Sequence, residues 1–111
     1  MNSTTVAVNW HPVGSPEEIS EDEPKVLKIG KRQIAIFRLG PDSFSAISDI
    51  CTHEYASLSR GFRDGNTIEC PLHQACFDLR NGKCHGPVAE VDLETFPIRI
   101  EGGQLLVGVL A

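Results

Sequence analysis

Short runs of alternating apolar and polar residues recur along the chain, and they predict β-strands rather than helices. The runs are rich in β-branched residues and have roughly the 8–12-residue spacing expected of a small sandwich or barrel. Asn81-Gly82 lies between two runs, and this dipeptide is a strong hairpin signal. Further turns are predicted at Gly30-Lys31, Gly40-Pro41-Asp42 and Gly102-Gly103. The predicted strands cover residues 6–10, 26–29, 33–37, 44–47, 67–69, 76–79, 88–91, 97–101 and 105–110.

Two segments do not follow the alternation. Ser15-Pro16-Glu17-Glu18 could form one helical turn with Ser15 as its cap, but we favour a solvated acidic loop. Residues 49–65 have no clean period and are interpreted as loop. Because no repeat or linker interrupts the pattern, we expect one all-β domain.

Charge and composition narrow the class of protein. The 111-residue chain has 15 acidic and 10 basic side chains, a formal charge of −5, and five of the acids lie within residues 17–23. Elsewhere acids and bases balance, and without a basic stripe we expect no nucleic-acid partner. No apolar run approaches the roughly 20 residues of a membrane span, and the N-terminal residues do not look like a secretory signal. We therefore expect a soluble cytoplasmic protein with one modest core.

Two Cys/His doublets are the chemically informative feature. Cys51-Thr52-His53 and Cys70-Pro71-Leu72-His73 are separated by sixteen residues, and each offers one thiolate and one imidazole to a common metal centre. A set of two Cys and two His suits a closed tetrahedral zinc site or a [2Fe–2S] cluster with two imidazoles on one iron. Zinc fingers usually pair Cys with Cys and His with His. The mixed doublets therefore favour the cluster.

The doublets and their flanks resemble a known family. The pair C-x-H and C-x2-H is similar to the Rieske iron–sulfur signature. The flanks resemble the small Rieske-type ferredoxins that deliver electrons to bacterial aromatic-ring dioxygenases, and the similarity extends from about residue 6 to residue 109. The matching flanks are residues 56–59 with Gly61, and residues 64–70, 77–82 and 96–103.

The resemblance implies one Rieske-type [2Fe–2S] cluster held by four residues. Cys51 and Cys70 would be the thiolate ligands of the inner iron, and His53 and His73 the imidazole ligands of the outer iron near the surface. A centre near solvent that accepts backbone N–H hydrogen bonds gains one unit of charge at the least cost.

The resemblance also implies the architecture. The expected fold is a small antiparallel, all-β Rieske-type sandwich or barrel. Residues 1–111 would form a single Rieske domain, with a cluster-binding subdomain of two loops at about residues 49–88. Pro87 would lie in a loop that covers the cluster.

The chain departs from related patterns at several loop positions. Gln74 stands where the family normally has Gly after the second His ligand, so a positive φ there would be strained. The extra disulfide of respiratory-chain Rieske proteins would fall at Ala56 and Leu72, and is therefore absent. The hydroxyls that those proteins place against the cluster sulfurs would fall at Ala75 and Phe77. Since fewer donors stabilise the reduced cluster less, we expect a potential near the bottom of the range of about −150 to +300 mV.

The implied function is one-electron transfer. The chain would take an electron from a flavin-containing ferredoxin reductase and pass it to a terminal Rieske non-haem iron oxygenase, an aromatic-ring dioxygenase. It is too short to hold the oxygenase's catalytic iron domain, so we expect no catalysis by this chain alone, and we expect a monomer. The alternatives are a small Rieske subunit of assimilatory nitrite reductase and, from another class, a zinc-stabilised interaction module.

The remaining cysteines and histidines are expected to be bystanders. A two-residue hairpin turn would pair Leu79 with Cys84 and place Cys76 on the opposite face from Cys84. A three-residue turn would place both on one face but leave them diagonal, so we expect no disulfide. Cys76 is expected to be a buried small hydrophobe and Cys84 a half-exposed thiol. We expect His85 at the surface near the cluster, and His11 to be structural or solvated.

Two surface features are candidates for partner recognition. Residues 17–23 are expected to form a solvated loop, and their functional interpretation is electrostatic steering toward a basic patch on a redox partner. Tyr55, Leu72 and Pro87 flank the ligands and are candidates for a docking rim.

Overall fold

Within the part of the chain that the structure describes, antiparallel strands form three small sheets, in agreement with the expected antiparallel all-β fold. The computed structural model describes residues 8–50, 57–70, 76–85 and 92–110. No helix within these ranges is long and apolar enough to cross a membrane. The strands are β1 (Val8–Gly14), β2 (Lys25–Ile29), β3 (Arg32–Gly40), β4 (Ser43–Ser48), β5 (Phe62–Asp64), β6 (Thr67–Glu69), β7 (Cys76–Asp78), β8 (Thr95–Phe96), β9 (Ile98–Glu101) and β10 (Gln104–Leu110).

Apart from two short 3₁₀ helices, the regular elements of the described residues are all strands, which confirms the all-β prediction. One sheet has the order β1-β10-β9, a second β2-β3-β4-β8, and a third β5-β6-β7. In sequence, β5 and β6 of the third sheet lie between the two predicted ligand doublets and β7 follows the second doublet. Every strand pair in this sheet is antiparallel. The predicted strand at residues 88–91 lies outside the described residues.

The first strand runs further than the alternation predicts. β1 continues through His11 and Pro12 to Gly14, and His11 pairs with Val107. Proline lacks an N–H and is confined to sheet edges because it cannot donate to a central ladder. β1 is an edge strand, so Pro12 is tolerated there.

The interpretation of residues 49–65 as loop is wrong in part. Leu58–Arg60 forms a 3₁₀ helix, and β5 follows it at Phe62–Asp64. β5 is only three residues long and contains one apolar residue, so it is too short to show an alternating pattern in the sequence. Its formation depends on pairing with β6, where Arg63 lies opposite Ile68.

The preference for a solvated loop at residue 15 is also wrong. Pro16–Glu18 forms a 3₁₀ helix, and Ser15 and Glu18 complete a capping box in which the Ser15 N–H donates to the Glu18 carboxylate at 3.0 Å. Arg38 secures this turn by donating to the carbonyls of Pro16 and Ile19, each at 2.6 Å. These are tertiary contacts, which local composition does not reveal.

The buried residues of the described ranges form two clusters, where one core was expected. Successive side chains of a strand point to opposite faces, so β3 contributes Ala35 and Phe37 to one cluster and Ile34 and Ile36 to the other. We call the first cluster the loop-side core. It comprises Ala35, Phe37, Ile47, Leu58, Ile68, Cys70, Phe77, Leu79 and Leu93.

Candidate metal centre

One of the four predicted ligands lies within the described residues. Cys70 directly follows β6, its residue is 1% exposed, and it packs in the loop-side core. Cys51, His53 and His73 lie outside the described residues, and no group of three or more His, Cys, Asp or Glu that could hold a metal occurs within them. Six other positions discussed above also lie outside the described residues: Tyr55, Ala56, Leu72, Gln74, Ala75 and Pro87.

The segment that carries the first doublet is closed at its base. Ile50 and Ser57 form an isolated antiparallel bridge. Next to this bridge, the Leu58 N–H donates to the Asp49 carbonyl at 2.6 Å. The chain therefore leaves toward Cys51 and returns from residue 56 through neighbouring backbone positions.

The segment that carries the second doublet is bounded by a paired strand on each side. Glu69 of β6 lies opposite Cys76 of β7, and Ile68 lies opposite Phe77. Cys70 and Cys76 thus bound residues 71–75, where the predicted ligand His73 lies.

A third connection, which contains Pro87, is also held at its base. The Cys84 N–H donates to a carboxylate oxygen of Asp92 at 2.9 Å. The Leu93 N–H donates to the Gly82 carbonyl at 2.8 Å. These bonds join the residues on either side of residues 86–91.

The loop-side core brings the bases of the two doublet segments together. Leu58, which follows the first segment, packs in the same buried cluster as Cys70 and Phe77, which flank the second. A buried thiol at this junction suits the sulfur ligand of an inner iron, and two thiolates with two imidazoles suit a Rieske-type cluster. The residues present therefore fit such a group.

Asp49 is a buried acidic residue that the sequence reasoning missed. It is 0% exposed, and its carboxylate accepts hydrogen bonds from the Gln33 side-chain amide at 2.6 Å and from the Ser59 N–H at 2.7 Å. Its backbone N–H donates to the Gln33 carbonyl at 2.8 Å. Asp49 thereby links β3 to the base of the first doublet segment. In the sequence, the signal for Asp49 was its position: it directly follows the predicted strand at residues 44–47 and its neighbour Ser48, and it lies two residues before the candidate ligand Cys51.

Gly61 permits a close approach between the two doublet segments. A Cβ at this position would lie 1.9 Å from the Glu69 carbonyl oxygen, at the end of β6. The backbone of Gly61 is extended, with φ −83°, so space rather than conformational freedom requires glycine.

The register of the β7 hairpin differs from the prediction. Cys84 lies opposite Phe77, not Leu79, because the connection is longer than two residues. Cys76 and Cys84 still point to opposite faces, as predicted. Cys76 is only half-buried, so its prediction as a buried residue is wrong. Cys84 is half-exposed, as predicted, and packs against the loop-side core.

The surroundings of Cys76 disfavour its thiolate. Partial burial raises the pKa of the Cys76 thiol, and the charges of Glu69 and Cys84 raise it further. Because the thiolate is the form that binds metal, these surroundings favour Cys76 as a bystander.

A charged cluster lies at the far end of β7. Arg80 donates to the Asp78 carboxylate through its side chain, at 2.8 and 3.1 Å, and through its backbone N–H at 2.8 Å. These bonds hold the pKa of Asp78 well below its usual range. His85, whose side chain is 53% exposed, has its Nε2 3.7 Å from the same carboxylate, so the predicted surface position of His85 is confirmed.

The class of the protein follows from comparison with known families. Residues 9–97 match the model of the Rieske [2Fe–2S] domain. The chain therefore belongs to the Rieske family, and the prediction of a Rieske-type [2Fe–2S] cofactor is confirmed.

Individual relatives make the comparison more specific. The chain is 43% identical over 111 residues to the ferredoxin subunit of anthranilate 1,2-dioxygenase from Burkholderia cepacia, and the match covers 98% of this chain and 99% of that protein. A structure of the complex of reduced oxygenase and oxidised ferredoxin in carbazole 1,9a-dioxygenase contains a chain that matches with TM-score 0.81 and 32% identity. That match covers 88% of this chain and 91% of the other.

A third likeness concerns the fold alone. A structure described as an NADH-dependent nitrite reductase small subunit from Mycobacterium tuberculosis matches with TM-score 0.79 and 22% identity, over 95% of this chain and 98% of that one. The predicted resemblance to ferredoxins of aromatic-ring dioxygenases is confirmed, and the nitrite reductase alternative has weaker support.

Proposed function

We propose that this protein is the one-electron carrier of an aromatic-ring dioxygenase system. It accepts an electron from a flavin-containing ferredoxin reductase and delivers it to a terminal Rieske non-haem iron oxygenase in the cytoplasm. The observation that carries the proposal is the 43% identity to a dioxygenase ferredoxin subunit over nearly the full length of both chains.

We assign the cluster ligands as Cys51 and Cys70 on one iron and His53 and His73 on the other. Support comes from the burial of Cys70 and from the shared core that joins the bases of the two doublet segments. When bound, the cluster supplies a site that gains and loses one electron. The residues of the loop-side core exclude water from Cys70. The backbone pairs Ile50–Ser57 and Glu69–Cys76 hold the two ends of each doublet segment together.

The oxidation of the aromatic compound belongs to the partner. In this proposal the chain is a monomer that docks briefly with each partner and does not bind the organic substrate. Residues 1–111 form its single Rieske domain.

Reconstitution tests the proposal. The purified protein is mixed with NADH, a flavoprotein reductase of an anthranilate dioxygenase system, and the corresponding terminal oxygenase with its aromatic acid. Product should form only when all three proteins are present. The proposal would be contradicted if the protein has normal cluster spectra but is neither reduced by the reductase nor oxidised by the oxygenase.

A second measurement separates the nitrite reductase alternative. Affinity purification of the tagged protein from its native cells should recover an oxygenase or reductase component. Recovery of a stoichiometric sirohaem-containing large subunit would favour the alternative instead.

A further inference from the structure

Phe62 is the most exposed large hydrophobic residue within the described ranges. It is 67% exposed, against 48% for Ile100 and 41% for Val26. It lies on β5, an edge strand of the third sheet. Exposure of an aromatic ring to water costs free energy, and aromatic residues are enriched where proteins bind one another.

The strand register places Phe62 on the outer face of this sheet. Arg63 lies opposite Ile68, which in turn lies opposite Phe77, and these two apolar residues pack in the loop-side core. Because neighbouring residues of a strand point to opposite faces, Phe62 and Asp64 point away from that core. Packing of the core therefore gives no reason for an aromatic residue at this position.

Arg63 fastens an acidic segment beside Phe62. Its guanidinium donates to the Glu21 carbonyl at 2.8 Å and to the Arg38 carbonyl at 2.9 Å, so the segment is tied to both β5 and β3. Glu21 and Asp22 line the same groove as Phe62, and the groove has a volume of about 520 Å³. We call residues 21–23 together with residues 62–64 the Phe62 face.

The Phe62 face carries an excess of negative charge. Glu21, Asp22 and Glu23 are exposed, and so is Asp64 on the neighbouring strand. The one basic residue within these two segments is Arg63, which is half-buried and spends its N–H groups on backbone carbonyls. The exposed Arg60 lies just outside the face. Four carboxylates thus outnumber the guanidinium groups around an exposed ring.

This charge selects among the possible occupants of the face. A second copy of the chain, whose formal charge is −5, would bring like charges together. Nucleic acid would be repelled by the same carboxylates. A protein surface that presents Lys or Arg side chains around an apolar recess complements both the charge and the ring.

We propose that the Phe62 face docks the flavin-containing reductase, with the Phe62 ring in an apolar recess and the carboxylates beside basic side chains. Of the two partners in the proposed function, the reductase binds NADH, and the pyrophosphate of NADH requires positive potential at the reductase surface. Phe62 also lies opposite Glu69, the residue before Cys70, so a docked partner lies close to a proposed ligand. This inference rests on the proposed function.

Stopped-flow reduction of the cluster-loaded protein by the reductase tests the proposal. Phe62→Ala should raise the protein concentration that gives the half-maximal rate about tenfold, as loss of a central aromatic contact does, and leave the rate at saturation unchanged. Phe62→Tyr keeps the ring and should stay near wild type. Ile100→Ala shortens another exposed apolar side chain, on β9 of a different sheet, and should have little effect.

A charge variant tests the face independently of Phe62. Glu21→Gln combined with Asp22→Asn should raise the half-maximal concentration several-fold at low salt. That effect should fade at about 1 M salt, where the Debye length is about 3 Å. The ratio between Phe62→Ala and wild type should persist at high salt, because it reflects an apolar contact.

Three outcomes would overturn the proposal. The first is an unchanged half-maximal concentration in Phe62→Ala, and the second is a defect confined to electron delivery to the oxygenase. The third is a wild-type dimer that Phe62→Ala converts to a monomer, which would show that a second copy occupies the face. A wild-type protein with a normal cluster that the reductase does not reduce would instead contradict the proposed function.

Discussion

The backbones of Ile50 and Ser57 form an antiparallel bridge. This bridge closes the base of the segment that holds Cys51 and His53. The paired residues Glu69 and Cys76 close the base of the segment that holds Cys70 and His73. Backbone pairing thus closes the base of each segment.

The first prediction concerns the ligands. Replacing His53 or His73 with Ala should abolish the Rieske absorption and EPR signals and reduce iron content, because each removes one of two imidazoles from the same iron. The loss should lower stability as well, since cluster binding is part of folding. Absorption spectra and iron analysis of the purified variants measure the effect.

Two variants serve as controls for the ligand assignment. Cys84→Ser changes a residue opposite Phe77, and His85→Ala changes a largely exposed imidazole. Both should retain the cluster. A cluster lost from Cys84→Ser and kept in His73→Ala would mean that the ligand set is wrong.

The second prediction concerns the contact between the doublet segments. Gly61→Ala places a Cβ 1.9 Å from a carbonyl oxygen of β6, so the backbone must move. We expect a loss of about 3 kcal/mol in the free energy of unfolding, together with faster cluster release. Urea unfolding followed by circular dichroism provides the measurement.

Gly40→Ala is the matched control for Gly61→Ala. A Cβ at Gly40 would meet its nearest neighbour, the Ser43 Cβ, at 3.9 Å, which is ordinary contact. Equal effects of the two substitutions would contradict the steric account.

Most of the longer strands could be predicted from sequence, and the cofactor from the two doublets, because each is a local pattern; the three-residue strand β5 could not. The apolar run Ile34 to Phe37, bounded by polar residues, indicates β3, and the mixed Cys/His pairs indicate the cofactor. The turn at Pro16 was one of two alternatives, because its cap is a local signal, but the choice between turn and loop also depends on Arg38, more than twenty residues away in sequence. The structural role of Asp49 could not be predicted either, because its hydrogen-bond donors, Gln33 and Ser59, are brought next to it only by folding.

The third prediction concerns electrostatic steering. Glu17 and Glu18 lie in the 3₁₀ helix, and Glu18 completes its capping box and pairs with Lys25 at 3.1 Å. Because changing them would also alter the local structure, the test leaves both unchanged. Neutralising the exposed Glu21, Asp22 and Glu23 should lower the rate of reduction by the reductase several-fold at low salt and much less at high salt. Stopped-flow absorbance measures this rate.

A second triple variant controls for net charge. Asp42→Asn, Glu94→Gln and Glu101→Gln remove the same number of exposed charges from other parts of the surface. Equal slowing by both triple variants would show a general charge effect and count against a docking role for residues 21–23.

The fourth prediction follows from the lowered pKa of Asp78. A carboxyl whose folded-state pKa lies below its unfolded value near 3.8 contributes stability at higher pH, and that contribution is lost as the pH falls below this value. Asp78→Asn should therefore cost on the order of 1 kcal/mol at pH 7, given the solvent exposure of Arg80. The difference from wild type should shrink below about pH 4.

Urea midpoints followed by fluorescence of Trp10, the single tryptophan, would record this pH dependence. Asp42→Asn, in an exposed turn, should differ little from wild type throughout. A difference between Asp78→Asn and wild type that is unchanged down to the lowest accessible pH would show that Asp78 is not stabilised as a charged group.

The EPR spectrum of the purified, chemically reduced protein tests the central claim most directly. A Rieske cluster in this chain predicts a red-brown protein that gives a rhombic signal on reduction, with about one unpaired spin per chain. A colourless, EPR-silent protein that contains zinc would contradict it.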